Sequence, residues 1–148
     1  MTVRSKVAIV TGGGSGIGRS AALAFAMTDD EWRRVQSVNL DGTFYVTRDV
    51  ARVMASQRSG TMILVTSDRG LYGSVDYAHY AASKGAMIAL TKSLALTLGK
   101  FGVTVNGINP GLTDTPLGRA AVAHQWDAKL GLDVLGKASR PEEIGELV

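Results

Sequence analysis

The segment Tyr80-Ala81-Ala82-Ser83-Lys84 carries the clearest chemistry in this chain. On a helix, residues four apart share a face, so the ammonium of Lys84 comes near the phenol of Tyr80. A tyrosine of ordinary pKa, about 10, is a poor base at neutral pH. A fixed positive charge beside it favours the phenolate and brings proton transfer into working range. Of the four tyrosines, only Tyr80 has a lysine four residues on. An amphipathic helix with a chance Tyr/Lys neighbour is the competing reading.

A second candidate is the run Thr11-Gly12-Gly13-Gly14-Ser15-Gly16-Ile17-Gly18. It fits T-G-x-x-x-G-x-G and does not fit G-x-G-x-x-G. Glycines there let a backbone approach a pyrophosphate, and the free amides of a following helix face its charge. A glycine-rich turn with no ligand is the alternative. Ser67 forms a third point, thirteen residues before Tyr80, and Asn39 precedes it by 28. Asp29, Asp30 and Glu31 lie at the distance from the glycine run where a ribose-binding acid is found in dinucleotide folds.

The elements that must position these residues follow from the apolar patterning. Lys6–Val10 reads as a short apolar strand, followed by a helix over about Gly16–Met27 with Ile17, Ala21, Ala24 and Phe25 toward the core. Thr28-Asp29-Asp30-Glu31 matches a capping box and opens a second helix running to about Gln57. Its expected buried side is Trp32, Val35, Val38, Tyr45, Val46, Val50, Val53 and Met54. Thr61–Thr66 reads as a buried strand, Tyr80–Gly99 as a long helix and Val103–Ile108 as a third strand. Pro141 starts a last helix. Such alternation predicts an α/β protein with a parallel sheet.

Composition narrows the function classes. The 148 residues are 45% hydrophobic and suit one domain with a real core. There is no cysteine, which excludes disulfides, thiol nucleophiles and thiolate metal sites. His79 and His124 show no metal-ligand spacing, so no metal is expected. The net charge of +3 is scattered, with no basic block beyond Arg33-Arg34, which argues against a nucleic-acid partner. No apolar stretch is long enough for a membrane span or a signal-peptide core, so a cytoplasmic soluble protein is expected.

Taken in order, Thr11–Gly18, "SVNLDGTF" around Asn39, "VTSDRG" around Ser67, "YAASK" and "INPGLTDTP" resemble the signature of the short-chain dehydrogenase/reductase family. The resemblance implies a Rossmann-like, doubly wound parallel sheet and an NAD(P)-dependent oxidoreductase acting on a ketone or secondary alcohol. It makes Tyr80 the general acid/base, Ser67 the group that holds the substrate oxygen, and Lys84 the residue that tunes Tyr80 and binds the nicotinamide ribose. Asn39 would hold a water linking Lys84 to solvent. Gly12, Gly14, Ser15, Gly16, Ile17 and Gly18 would bind cofactor, with Gly12, Gly16 and Gly18 at the pyrophosphate. Pro110, Gly111, Thr113 and Thr115 would flank the nicotinamide. Ser15 supplies no basic side chain before Gly16, which favours NAD over NADP.

The resemblance also implies absences. Between Ala26 and Thr28 the family carries on the order of 70 more residues, about two ~30-residue βα units and a strand. They hold the residue that chooses between NAD and NADP. The chain stops at Val148, before the family's last strand. The expected product is one incomplete dinucleotide-binding domain over 1–148, lacking the second to fourth strands and the last. Asp29, Asp30 and Glu31 are then helix N-terminal charges rather than ribose ligands, because Met27 leaves no room for a strand before Thr28. Homodimers or homotetramers would form through the Asn39 and Tyr80 helices, where Ala82, Ala86, Ala89 and Ser93 permit close approach. The alternative function is a non-enzymatic deletion remnant that keeps this association surface. The residues after Ser67 (Asp68, Arg69, Leu71, Tyr72) and the stretch Leu117–Leu135 with Trp126 are the expected pocket wall and lid; the substrate is left open.

Overall fold

The computed structural model describes residues 28–75, 77–121, 123, 126–127 and 136–147. The expected first strand, the glycine run and the first helix lie outside the described residues, as does His124.

The described chain opens at the capping box. The Glu31 amide donates to the Thr28 hydroxyl at 3.2 Å, and the Thr28 amide donates back to the Glu31 carboxylate at 2.7 Å. Helix α1 follows (Asp29–Gln36), with Asp29, Asp30 and Glu31 in its first turn. The helix does not stop at Gln36. It passes through a π-helical turn, Ser37–Asp41, into α2 (Gly42–Gln57), so the expected long helix exists with one interruption. Arg58 closes it in the left-handed region at φ 55°.

A tight link leads to strand β1 (Gly60–Val65), one residue earlier than expected. Then come the short helix α3 (Arg69–Tyr72), the long helix α4 (Ala78–Leu98) and a 3₁₀ turn, Gly99–Phe101. Strand β2 (Val103–Ile108) has the bounds the sequence predicts. Helices α5 (Pro116–Ala121) and α6 (Pro141–Gly145) complete the described elements, with Pro141 in the first turn of α6. Strands β1 and β2 pair in parallel over their full lengths, from Gly60 beside Val103 to Val65 beside Ile108. Helix α4 is the crossover that a parallel pair requires.

The core sits on one face of this sheet. Met62 and Leu64 of β1, Val103 and Val105 of β2 and Leu98 are buried together. Ala51, Met54 and Ala55 of α2 pack against them beside Leu94 and Ala95 of α4. Each large apolar side chain fully covered this way contributes about 1.5–3 kcal/mol. The opposite face is open among the described residues, with Val65 52% exposed. The stretch read as a wholly buried strand therefore alternates, covered on one face only, because α2 and α4 share that face.

The expected buried side of the long helix is a larger correction. Trp32, Val38, Tyr45, Val46, Val50 and Val53 are exposed, Val35 and Met54 are partly covered, and Thr47 is the buried residue of α2. Two physical reasons apply. The π turn inserts an extra residue, so the apolar positions of α1 and α2 do not fall on one continuous stripe. The strand neighbouring α2 also covers it only near its C-terminal end, at Ala51, Met54 and Ala55.

Candidate active site

The carboxyl ends of the two strands are stitched together beyond their ladder. The Thr66 amide donates to the Ile108 carbonyl at 2.8 Å, and the Asp68 amide donates to the Pro110 carbonyl at 3.1 Å. The Thr66 hydroxyl adds a 2.7 Å bond to Ile108 O and a close contact to the Asn109 side chain. The loop carrying Ser67 and the loop carrying Pro110 and Gly111 are thus neighbours at the end of a parallel sheet, where open α/β sheets bind ligands.

Ser67 is buried, and its position is locally determined. Its hydroxyl donates to the Asp68 carboxylate at 3.0 Å and accepts the Arg69 amide at 3.2 Å, which caps α3. Helix α3 then presses onto α4 without side-chain padding. A methyl group placed on Gly70 would stand 2.7 Å from the backbone carbon of Lys84 and 2.9 Å from the amide nitrogen of Gly85. Only glycine lets the turn after Ser67 lie this close to the Tyr80–Lys84 turn of α4.

Lys84 joins three parts of the site. Its ammonium donates to the Val65 carbonyl at 3.0 Å, two residues before Ser67, and stands 5.6 Å from the centroid of the Tyr80 ring. Burial pushes the Lys84 ammonium below its ordinary value, since desolvation penalises the charged form. Tyr80 itself is half-buried on the first turn of α4.

Asn39 reaches the same helix through an intermediary. Its side-chain amide donates to the Ser83 hydroxyl at 3.0 Å, and that hydroxyl donates to the Tyr80 carbonyl at 2.7 Å. The Asn39 carbonyl accepts the Thr43 hydroxyl at 2.6 Å. Sequence reasoning missed Ser83, which is fully buried; its signal was a small hydroxyl three residues after Tyr80 on the same helical face. Helix α3 was also missed, because four residues give no periodicity to read.

Around the expected nicotinamide flank, the Thr113 hydroxyl donates to Gly111 O at 3.1 Å and the Thr115 hydroxyl accepts the Gly118 amide at 2.9 Å. Both hydroxyls serve their own loop, which is tied to Ser139 by backbone bonds from Asp114 and to Leu112. Gly111 faces open space apart from the Asp68 carboxylate. Of the expected lid, Arg119 forks onto Asp114 at 2.5 and 2.6 Å and stacks 4.8 Å over the Trp126 ring. The structure therefore brings Ser67, Tyr80, Lys84 and, through Ser83, Asn39 to one end of the sheet beside Pro110 and Gly111. The glycine-loop residues Gly12, Gly14, Ser15, Gly16, Ile17 and Gly18 lie outside the described residues.

A cavity of about 690 Å³ runs along the edge of β1 that faces away from β2. Thr61 to Val65 form its floor, Thr43, Val46, Thr47 and Met54 one wall, and Asn39, Lys84 and Met87 also line it.

The family model described as short chain dehydrogenase matches residues 24–126. The 3-oxoacyl-[acyl-carrier-protein] reductase of Thermotoga maritima is 35% identical over 134 residues, covering 90% of this chain and 54% of the reductase. The 3-alpha-(or 20-beta)-hydroxysteroid dehydrogenase of Mycobacterium tuberculosis is 39% identical over 125 residues, 84% of this chain and 45% of that protein. Among solved structures, NAD⁺-bound xylitol dehydrogenase superposes with a TM-score of 0.78 at 28% identity, over 81% of this chain and 52% of its own. The 3-oxoacyl-[acyl-carrier protein] reductase of Brucella melitensis gives 0.75 at 37%, over 82% and 46%. The chain spans about half the length of the relatives it matches.

Proposed function

From the premise that the chain belongs to the short-chain dehydrogenase family, we propose that it carries the catalytic half of a site for hydride transfer between a nicotinamide cofactor and a ketone or secondary alcohol. The observation that supports this most directly is Lys84, whose ammonium reaches the end of the strand leading to Ser67 while standing against the Tyr80 ring.

The described residues suit the nicotinamide end of such a cofactor. Of the three Lys84 donors, one goes to Val65, which leaves two for ribose hydroxyls. Gly111 leaves open space beside Pro110. When bound, the nicotinamide supplies or accepts the hydride. The chain's own residues manage the proton and the position. In alcohol oxidation Tyr80 takes the hydroxyl proton, and in the reverse direction it returns a proton to the carbonyl oxygen. Lys84 favours the phenolate form through its charge. Ser67 holds the substrate oxygen by turning its one O–H from the Asp68 carboxylate to that oxygen, while the Arg69 amide keeps the hydroxyl in place. Asn39 steadies the first turn of α4 through Ser83. NAD is favoured over NADP because Ser15 offers no cation.

Weak cofactor affinity goes with this reading. Two or three lost charge-assisted contacts at the adenosine end, each worth about 1.5–3 kcal/mol, amount to several powers of ten. The test is NADH fluorescence titration of the 148-residue chain, followed by turnover at saturating NAD or NADP over a panel of secondary alcohols. Slow turnover that depends on Tyr80 is expected.

A second reading is favoured by the exposed apolar side chains of the long helix. Val38, Tyr45, Val46 and Val53 are each more than half exposed, and Ala82, Ala89 and Ser93 of α4 are exposed as well. On that reading the chain is a non-enzymatic association module that dimerises through these helices. Absence of turnover together with a concentration-dependent dimer would select it.

A further inference from the structure

We infer that the cavity along β1 is the docking groove for this chain's own segment Lys6–Val10, which adds to β1 as a parallel strand. The outer edge of β1 has no strand partner among the described residues, since the sheet there consists of β1 and β2 alone. Such an edge presents a row of backbone donors and acceptors that templates another strand. One carbonyl of that row, Val65 O, is taken by the Lys84 ammonium.

The groove has the character of a strand slot. It runs the whole length from Thr61 to Val65. The hydroxyls of Thr43 and Thr47 on its wall are spent on the carbonyls of their own helix, at 2.6 and 2.8 Å. Val46 and Met54 complete an apolar side, and Lys84 is the sole charged residue among the described lining.

Length and composition select the occupant. Strand β1 spans about 20 Å, and the five residues Lys6–Val10 extend about 16 Å. Val7-Ala8-Ile9-Val10 is a continuous apolar run, the pattern of a strand flanked by others and covered on both faces, and it brings no charge against Lys84. Tethering raises the effective concentration of this segment to the millimolar range, above that of any free peptide. Charge sets direction. The eighteen residues from Val10 to Thr28 reach either end of β1, but Lys6 carries the segment's one charge, and it stays away from the Lys84 ammonium only when Val10 lies beside Val65 and Lys6 at the Gly60 end.

Two measurements on the full chain test this. Hydrogen exchange followed by mass spectrometry reads the β1 amides that do not bond to β2. Protection of at least about tenfold is expected in the parent and its loss in Ile9→Asp. Because the chain has no native cysteine, the double variant Val10→Cys/Val65→Cys can be joined by a short bis-maleimide. Its intramolecular link should form at least about tenfold faster than in Val10→Cys/Leu96→Cys, where Leu96 is exposed on α4. Unprotected outer amides in the parent, protection that survives Ile9→Asp, or equal linking rates would each overturn the assignment. Links formed only between molecules would do so too, by naming a second copy as the occupant. If Ile9→Asp fails to fold, the linking rates decide.

Discussion

The ammonium of Lys84 lies 3.0 Å from the carbonyl oxygen of Val65, so the charge that stands against the Tyr80 ring is anchored to the end of a strand. That anchor and the walls around it carry a cost in water lost from the ammonium.

Lys84→Met should therefore raise the melting temperature near neutral pH. The folded-state pKa of Lys84 is lowered by desolvation, so the folded protein binds fewer protons than the unfolded one between that value and the ordinary one near 10.5. Stability of the parent rises with pH across that window, while the Met variant lacks the rise. The advantage of the variant is greatest below the window and shrinks as pH approaches about 10.5. Thermal melts of both proteins from pH 7 to 10.5 check the sign, and a constant difference would remove the burial explanation.

Tyr80→Phe should leave the fold intact, because Ser83 bonds the Tyr80 carbonyl and not its ring. Turnover in a nicotinamide-linked assay should fall by about 10²–10⁴-fold, the usual worth of a general acid/base. Activity within a factor of three of the parent would take Tyr80 out of the chemistry.

Gly70→Ala should destabilise the protein by about 1–3 kcal/mol, since the new methyl meets the unyielding backbone of Lys84 and Gly85 as well as the end of the Ile88 side chain. The displaced α3 carries Ser67 with it, so any turnover should fall alongside stability. Gly99→Ala is the control. No atom lies within 4 Å of the added methyl, and the Gly99 φ of −54° suits alanine, so denaturant midpoints should be unchanged or slightly raised.

Thr28→Ala should cost about 0.5–2 kcal/mol by removing the N-cap. The Glu31 carboxyl is held below its ordinary value, first by the Thr28 amide and then by the Thr28 hydroxyl. Its contribution is present above the ordinary carboxyl range and is lost as pH falls through the depressed folded value. The gap between parent and variant should narrow in acid by the share of the hydroxyl-to-carboxylate bond alone, because the residue-28 amide still bonds Glu31 in the variant and the lost amide-to-hydroxyl cap does not titrate; urea titrations at pH 7 and pH 3 would show it.

The sequence is legible where the physics is local. The capping box at Thr28 and Glu31, the bounds of β2 and the start of α6 at Pro141 all depend on a few neighbouring residues. Burial of the long helix is not legible in its own residues because it depends on what lies opposite, and Val46 and Val53 are exposed despite their apolar pattern. The spacing of Tyr80 and Lys84 announced their shared face. The bond from Lys84 to Val65 was illegible, because it joins residues nineteen apart through the packing of α3 on α4. The same holds for the relay from Asn39 to Ser83, whose partners are 44 residues apart.

The π turn at Ser37–Asp41 makes the long helix a rotary joint with one fixed setting. Removing any single residue from it would restore an uninterrupted α-helix, turning everything upstream by about 100° and drawing it about 1.5 Å along the axis. Gln36 would swing away from the His79 carbonyl it now meets at 2.9 Å, at the very start of α4. Asn39 would lose its approach to Ser83 by the same rotation. A one-residue deletion here would thus act as a change of aim, sparing the helix as secondary structure while uncoupling it from the helix that bears Tyr80.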